Sequence, residues 1–242
     1  MKLPGNRDKK IIDGTHRIVF YLLPLLGLAF LLWYIKNAAC DVVYSDYIRL
    51  VNSYLPDVFN PEKFFVADVL TRIPINYLSR IINVKFFGFS ITFDRVLGAV
   101  SVSLAAWCFA AYSRQLKINI KWFITFMIVM FSLNKWEMLT NGSGWSHFFA
   151  FACFYYHQIL FDRYYRGQER KWDKTILMLL PWLIILGTAG PYCAIYAVVM
   201  ILASGAAAFM DTGEKRKQYV IFLICTLLSL IHISEPTRQE AI

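Results

Sequence analysis

Residues Thr175–Met210 read TILMLLPWLIILGTAGPYCAIYAVVMILASGAAAFM. The stretch contains no Asp, Glu, Lys, Arg or His. A spanning helix needs about 20 mostly apolar residues, and at about 1.5 Å rise per residue this stretch is too long for one ordinary span. The GTAGP motif at Gly187–Pro191 is a turn signal, so the stretch divides there into two spans. Similar runs lie on either side. They are Ile18–Ile35, Val96–Ser113, the shorter Trp122–Asn134, Met138–Phe161 and Gln218–Ser234. The expected fold class is therefore all-α, a polytopic transmembrane helical bundle of about seven spans.

Composition agrees. The 242-residue chain is 58% hydrophobic and only 17% charged, below the roughly 25% of soluble domains. Its formal net charge of +9 suits cytoplasmic loops rich in Lys and Arg better than a nucleic-acid partner. The five cysteines lack the close pairing of a metal site and read as small hydrophobes. The basic N-terminus resembles a signal peptide. However, the apolar run after it is too long and no small-residue cleavage site follows, so it reads as a retained first span.

Four basic segments fix the expected orientation. They are residues 1–17, the segment with Arg114, Lys117 and Lys121, the segment DRYYRGQERKWDK, and DTGEKRK. Two spans separate each successive pair, so all four fall on the cytoplasmic side of a plasma (inner) membrane. The domain plan is a cytoplasmic N-terminus (1–17), a transmembrane domain (18–230) with an outer loop (37–95), and a tail (231–242). The tail, in SLIHISEPTRQEAI, resembles translated adapter sequence at the ends of metagenomic gene predictions. That resemblance implies a native chain that continues beyond about Leu230; the alternative is a short native tail.

The outer loop is the only long one, and a long loop is usually functional. It opens with CDVVYSDYIRLVNSYL, residues Cys40–Leu55. Tyr47, Leu50, Val51, Tyr54 and Leu55 have helical spacing. A second helix is predicted from Pro74, with Ile75, Tyr77, Leu78, Ile81 and Ile82 apolar and Asn76, Arg80 and Asn83 as a polar stripe. Both helices are expected to be interfacial, lying on the outer leaflet.

The segment RIPINYLSRIINVKFFGFSITFDRVLGAV follows, and SLNKWEMLTNGSGWSHF forms a later outer turn. With Pro74, Phe87, Gly88 and Arg95 in place, the layout from about Ile18 to Met210 resembles the GT-C fold, the polyprenyl-phosphate-sugar-dependent membrane glycosyltransferases. The resemblance implies a catalytic acid in the first outer loop, Asp46 first and Asp41 second, acting as general base on an acceptor hydroxyl. It implies Arg49, Arg72 and Arg80 as donor-phosphate partners. Many members carry two adjacent acids, whereas this chain has Ser45-Asp46-Tyr47. A divalent cation would need further oxygens from Asp41, Asp57, Asp68 or Glu137. The implied partners are membrane lipids, a polyprenyl-phosphate-linked sugar and an envelope glycan or lipid acceptor.

Each residue also has a plainer reading. Asp46 suits a helix first turn and pairs in sequence with Arg49. Arg72 and Arg80 suit lipid headgroups. Lys135 and Glu137 either snorkel to the surface or border a cavity. His147 and His157 are too far apart in sequence to share a metal and suit packing between helices. Asn141-Gly142-Ser143 matches a glycosylation sequon by chance in a tight turn. The alternative functions are a non-enzymatic transporter or flippase, or a scaffold, of the envelope glycan pathway. The uncharged spans argue against a charged transport path, and a scaffold has no need of the long loop.

Overall fold

The computed structural model describes residues 6–45, 47–48, 51–52, 55–65, 74–187 and 190–234. Among these the chain is helical, with no strand. The helices are α1 (Asn6–Ala38), α2 (Pro74–Phe87), α3 (Ile91–Gln115), α4 (Ile120–Met130), α5 (Trp136–Thr140), α6 (Trp145–Tyr165), α7 (Asp173–Gly187), α8 (Gly190–Met210) and α9 (Lys215–Ser234). Short 3-10 turns cover Leu55–Asp57, Pro61–Phe65 and Leu133–Lys135.

The uncharged Thr175–Met210 stretch is split between α7 and α8 at the predicted turn. Pro74 opens α2, where its missing N–H costs nothing. Two described segments, Ile18–Ala38 and Ile91–Gln115, are long and apolar enough to cross a membrane. Helix α4 has only 11 residues, so helix length does not by itself carry seven crossings. The run expected over Met138–Phe161 is also interrupted. It is α5 and α6 with a break at Asn141–Gly144, where Gly142 has φ +83° and Asn141 Oδ1 accepts from the Ser143 N–H at 2.8 Å. Helix α9 runs through Ser234, past the expected end of native sequence.

Packing centres on α3 against α6, with α1 on the far side of α3 and α7–α9 on the far side of α6. Small residues are buried along both helices: Ala99, Ser103, Ala106 and Ala110 in α3, and Ser146, Ala150 and Ala152 in α6. Small side chains let helix backbones approach closely. Two apolar clusters lie on either side of this packing. One joins Leu31, Val102, Phe123, Met127 and Leu139; the other joins Leu160, Leu177, Ile184, Met200 and Phe222. Large apolar side chains point outward instead, among them Leu25, Trp33, Ile128, Val198 and Leu202. At Gly27 of α1 the ring of Phe131 lies so close that an added Cβ would sit 2.3 Å from its Cζ.

Candidate functional site

The polar stripe of α2 explains how the site is built. Asn76, Arg80 and Asn83 follow helical spacing and share one face. That face is buried: Arg80 is 1% exposed and Asn83 fully enclosed, while Leu78, Ile82, Phe86 and Phe87 are exposed. The stripe therefore faces the protein, and the apolar side faces outward. Helix α2 is held by polar contacts from within.

Asp94, in the first turn of α3, receives those contacts. Its Oδ2 accepts from Arg80 Nη1 at 2.5 Å, from the Tyr47 hydroxyl at 2.5 Å and from Asn83 Nδ2 at 3.0 Å. Arg80 Nη1 also donates to the Tyr47 hydroxyl at 2.7 Å, and its guanidinium lies 4.6 Å from the Tyr47 ring centroid. Burial pushes the Tyr47 phenol up from its ordinary value, against the opposing pull of Arg80. Two atoms of this network, Asp94 Oδ1 and Arg80 Nε, are buried and find no hydrogen-bond partner.

The chain reversal between α2 and α3 makes the network possible. Gly88 and Phe89 both take left-handed backbone, at φ +61° and +66°. Asn83 closes the turn: its Oδ1 accepts from the Ser90 N–H at 2.7 Å and its Nδ2 donates to the Ser90 carbonyl at 3.0 Å. The Phe-Gly turn expected at residues 87–88 is present, and it brings Arg80 onto Asp94.

Arg95 does a parallel job one residue on. It is 2% exposed. Its Nε donates to the Thr140 carbonyl at 2.5 Å, and its Nη2 donates to the Cys40 carbonyl. Its Nη1 lies 3.7 Å from the Asp41 carboxylate, which is fully exposed. The Tyr44 hydroxyl meets the Thr140 hydroxyl at 2.6 Å, and the Ser45 hydroxyl donates to Glu137 at 2.7 Å. Gly142 lies so close that an added Cβ would be 3.2 Å from both Asp94 and Tyr47. Three separate segments thus meet at the start of α3: the first loop at 40–47, helix α2, and the 137–144 turn.

The predicted site residues are distributed as follows. Asp41 and Glu137 are exposed at the rim, beside Arg95 and Ser45 respectively. Arg80 is buried in the Asp94 network, so a phosphate would have to enter that network to reach it. Lys135 lines an apolar cavity between α3, α4 and α6, and Glu137 does not. Asp46, Arg49 and Arg72, with Asp68, lie outside the described residues. Ser45 and Tyr47, the sequence neighbours of Asp46, are each tied to the site by their hydroxyls.

No group of three or more His, Cys, Asp or Glu among the described residues is arranged to hold a metal ion. His157 packs as expected between α6 and α8, bonded to the Tyr196 hydroxyl. The sequon residues Asn141 and Ser143 are buried, in keeping with a chance match. Sequence reasoning missed Asp94. Its signal was present: an acid directly before Arg95 at the start of a long apolar run is costly unless paired, and Arg80 was the nearest polar-stripe cation.

No family model matches the chain, and no curated protein or solved structure matches it either.

Proposed function

We propose that the chain is a seven-span inner-membrane protein with a cytoplasmic N-terminus. On this reading it transfers a sugar from a polyprenyl-phosphate donor to an envelope acceptor at the outer face. The observation that carries the reading is the clamping of Cys40 and Tyr47 onto the start of α3, and of Tyr44 and Ser45 onto the adjoining 137–140 segment. This leaves the carboxylates of Asp41 and Glu137 exposed at a rim backed by buried Arg95. A donor phosphate sits at the membrane surface, and the pattern of basic segments favours the outer side for this rim.

The chemistry divides among this chain's own residues. Asp46 takes the proton of the acceptor hydroxyl as general base, with Asp41 as second candidate. The acceptor oxygen forms a bond to the sugar's anomeric carbon as the bond from that carbon to the phosphate oxygen breaks. The polyprenyl phosphate leaves with the electron pair, and Arg49 and Arg72 stabilise its charge. The buried Arg80 and Asp94 hold the loop that carries the base.

The test uses membranes from cells expressing the chain, supplied with radiolabelled polyprenyl-phosphate hexoses. Transfer that disappears in Asp46→Asn at normal expression is the expected result. Full transfer in that variant overturns the assignment of the base, and no transfer by the parent protein to any acceptor overturns the reading as a whole.

A further inference from the structure

Between α3, α4 and α6 lies a cavity of about 480 Å³, within the range of about 300–1,000 Å³ usual for ligand pockets. Its walls are apolar, from Val102, Phe109, Phe126, Val129 and Phe148, and its one charged lining residue is Lys135. Phe126 and Val129 are exposed on the outer side of α4, so the cavity opens sideways rather than toward an end of the bundle.

The Lys135 ammonium donates to the carbonyls of Met130 at 2.6 Å and Ser132 at 3.0 Å, at the end of α4. An ammonium has three protons. Those two bonds account for two, and no carboxylate among the described residues pairs with it. A half-buried cation beside an apolar groove, with no carboxylate partner among the described residues, would gain a counter-charge from an anion that brought its own apolar chain.

We propose that this groove holds one acyl chain of an anionic bilayer phospholipid, with the lipid phosphate on Lys135. The inference rests on the membrane-spanning part of the proposed function and not on sugar transfer. Sideways opening suits a chain entering from the bilayer. On the proposed membrane reading, the lysine follows the short apolar segment ending at Asn134 and so reaches the level of the lipid phosphates.

Native mass spectrometry of the detergent-purified chain tests this, with phosphatidylglycerol and phosphatidylcholine of equal chain length as probes. Parent protein is expected to retain phosphatidylglycerol roughly tenfold better. Lys135→Met should erase the preference, and Lys135→Arg should keep it. Val129→Trp, at the exposed rim, should reduce retention of both lipids while leaving the Lys135 contacts intact. Equal retention of the two lipids by the parent protein overturns the proposal. So does a preference that survives Lys135→Met, or retention unchanged in Val129→Trp. Displacement of phosphatidylglycerol by an equimolar polyprenyl phosphate overturns it in favour of the isoprenoid. Loss of sugar transfer with the phosphatidylglycerol preference intact counts against the transferase reading alone.

Discussion

Substituting Asp94 by Ala removes the carboxylate that pairs with Arg80 among the described residues. The pair is separated by 2.5 Å, with Arg80 1% exposed and Asp94 fully buried. Breaking such a pair costs about 3–5 kcal/mol, because the remaining charge stays buried without compensation. In Asp94→Ala the Tyr47 hydroxyl also loses its acceptor, and the Asn83 amide loses one of its two, keeping the Ser90 carbonyl. For a chain of this size that corresponds to a fall of roughly 6–20 °C in apparent Tm. The assay is thermal unfolding of purified protein in detergent, followed by tryptophan fluorescence and size-exclusion recovery. Two controls isolate the cause. Asp94→Leu combined with Arg80→Met removes both charges and should recover most of the loss, since well-packed apolar replacements are often neutral. Arg166→Ala breaks an ion pair of 2.9 Å whose arginine is 47% exposed, and should cost about 1 kcal/mol or less. An Asp94→Ala protein that melts with the parent, or a double variant less stable than Asp94→Ala, would exclude this role for the buried pair.

Two further predictions concern packing and pH. Gly27→Ala should destabilise by about 1–3 kcal/mol, as overpacked sites do, because its Cβ would lie 2.3 Å from Phe131; Gly27→Ala with Phe131→Leu should restore the parent Tm, and an unperturbed Gly27→Ala would contradict the close approach. The raised Tyr47 phenol makes stability fall with alkalinity: above the ordinary tyrosine value of about 10 the unfolded chain gives up this proton before the folded one, so stability present below pH 10 is lost as pH rises further. Chemical-denaturation midpoints measured between pH 9 and 11.5 should drop more steeply for the parent than for Tyr47→Phe, and parallel curves would exclude Tyr47 as the source.

Local signals carried most of the helix plan. The uncharged length of Thr175–Met210 with its GTAGP motif gave the α7–α8 division, and Pro74 gave the start of α2. The polar stripe of α2 was visible too, but its direction was not. Sequence spacing shows that Asn76, Arg80 and Asn83 share a face; whether water or protein lies opposite depends on Asp94, reached only through the Gly88–Phe89 reversal. The turn at Asn141–Gly144 was legible in part. A tight turn was expected at Asn141–Ser143, yet the apolar run was drawn from Met138 through it; the Asn141 side chain and the left-handed Gly142 stop one helix and start another there. The rim of the site was legible one carboxylate at a time. Its assembly by Arg95, which joins residues 40 and 140, depends on contacts between distant positions that no local pattern encodes.

On the proposed topology the rim carrying Asp41 and Glu137 faces the outside. Cys40 offers a native probe, because it is exposed and adjoins Asp41, while Cys108, Cys153 and Cys225 are partly or fully buried in helices. In a Cys193→Ser background, treating intact cells with a membrane-impermeant maleimide should label the protein, and adding Cys40→Ser should abolish that labelling. A cysteine placed at Lys117, between α3 and α4, should react only after the cells are permeabilised. Labelling of Cys40 that also requires permeabilisation would place the rim in the cytoplasm and contradict the account.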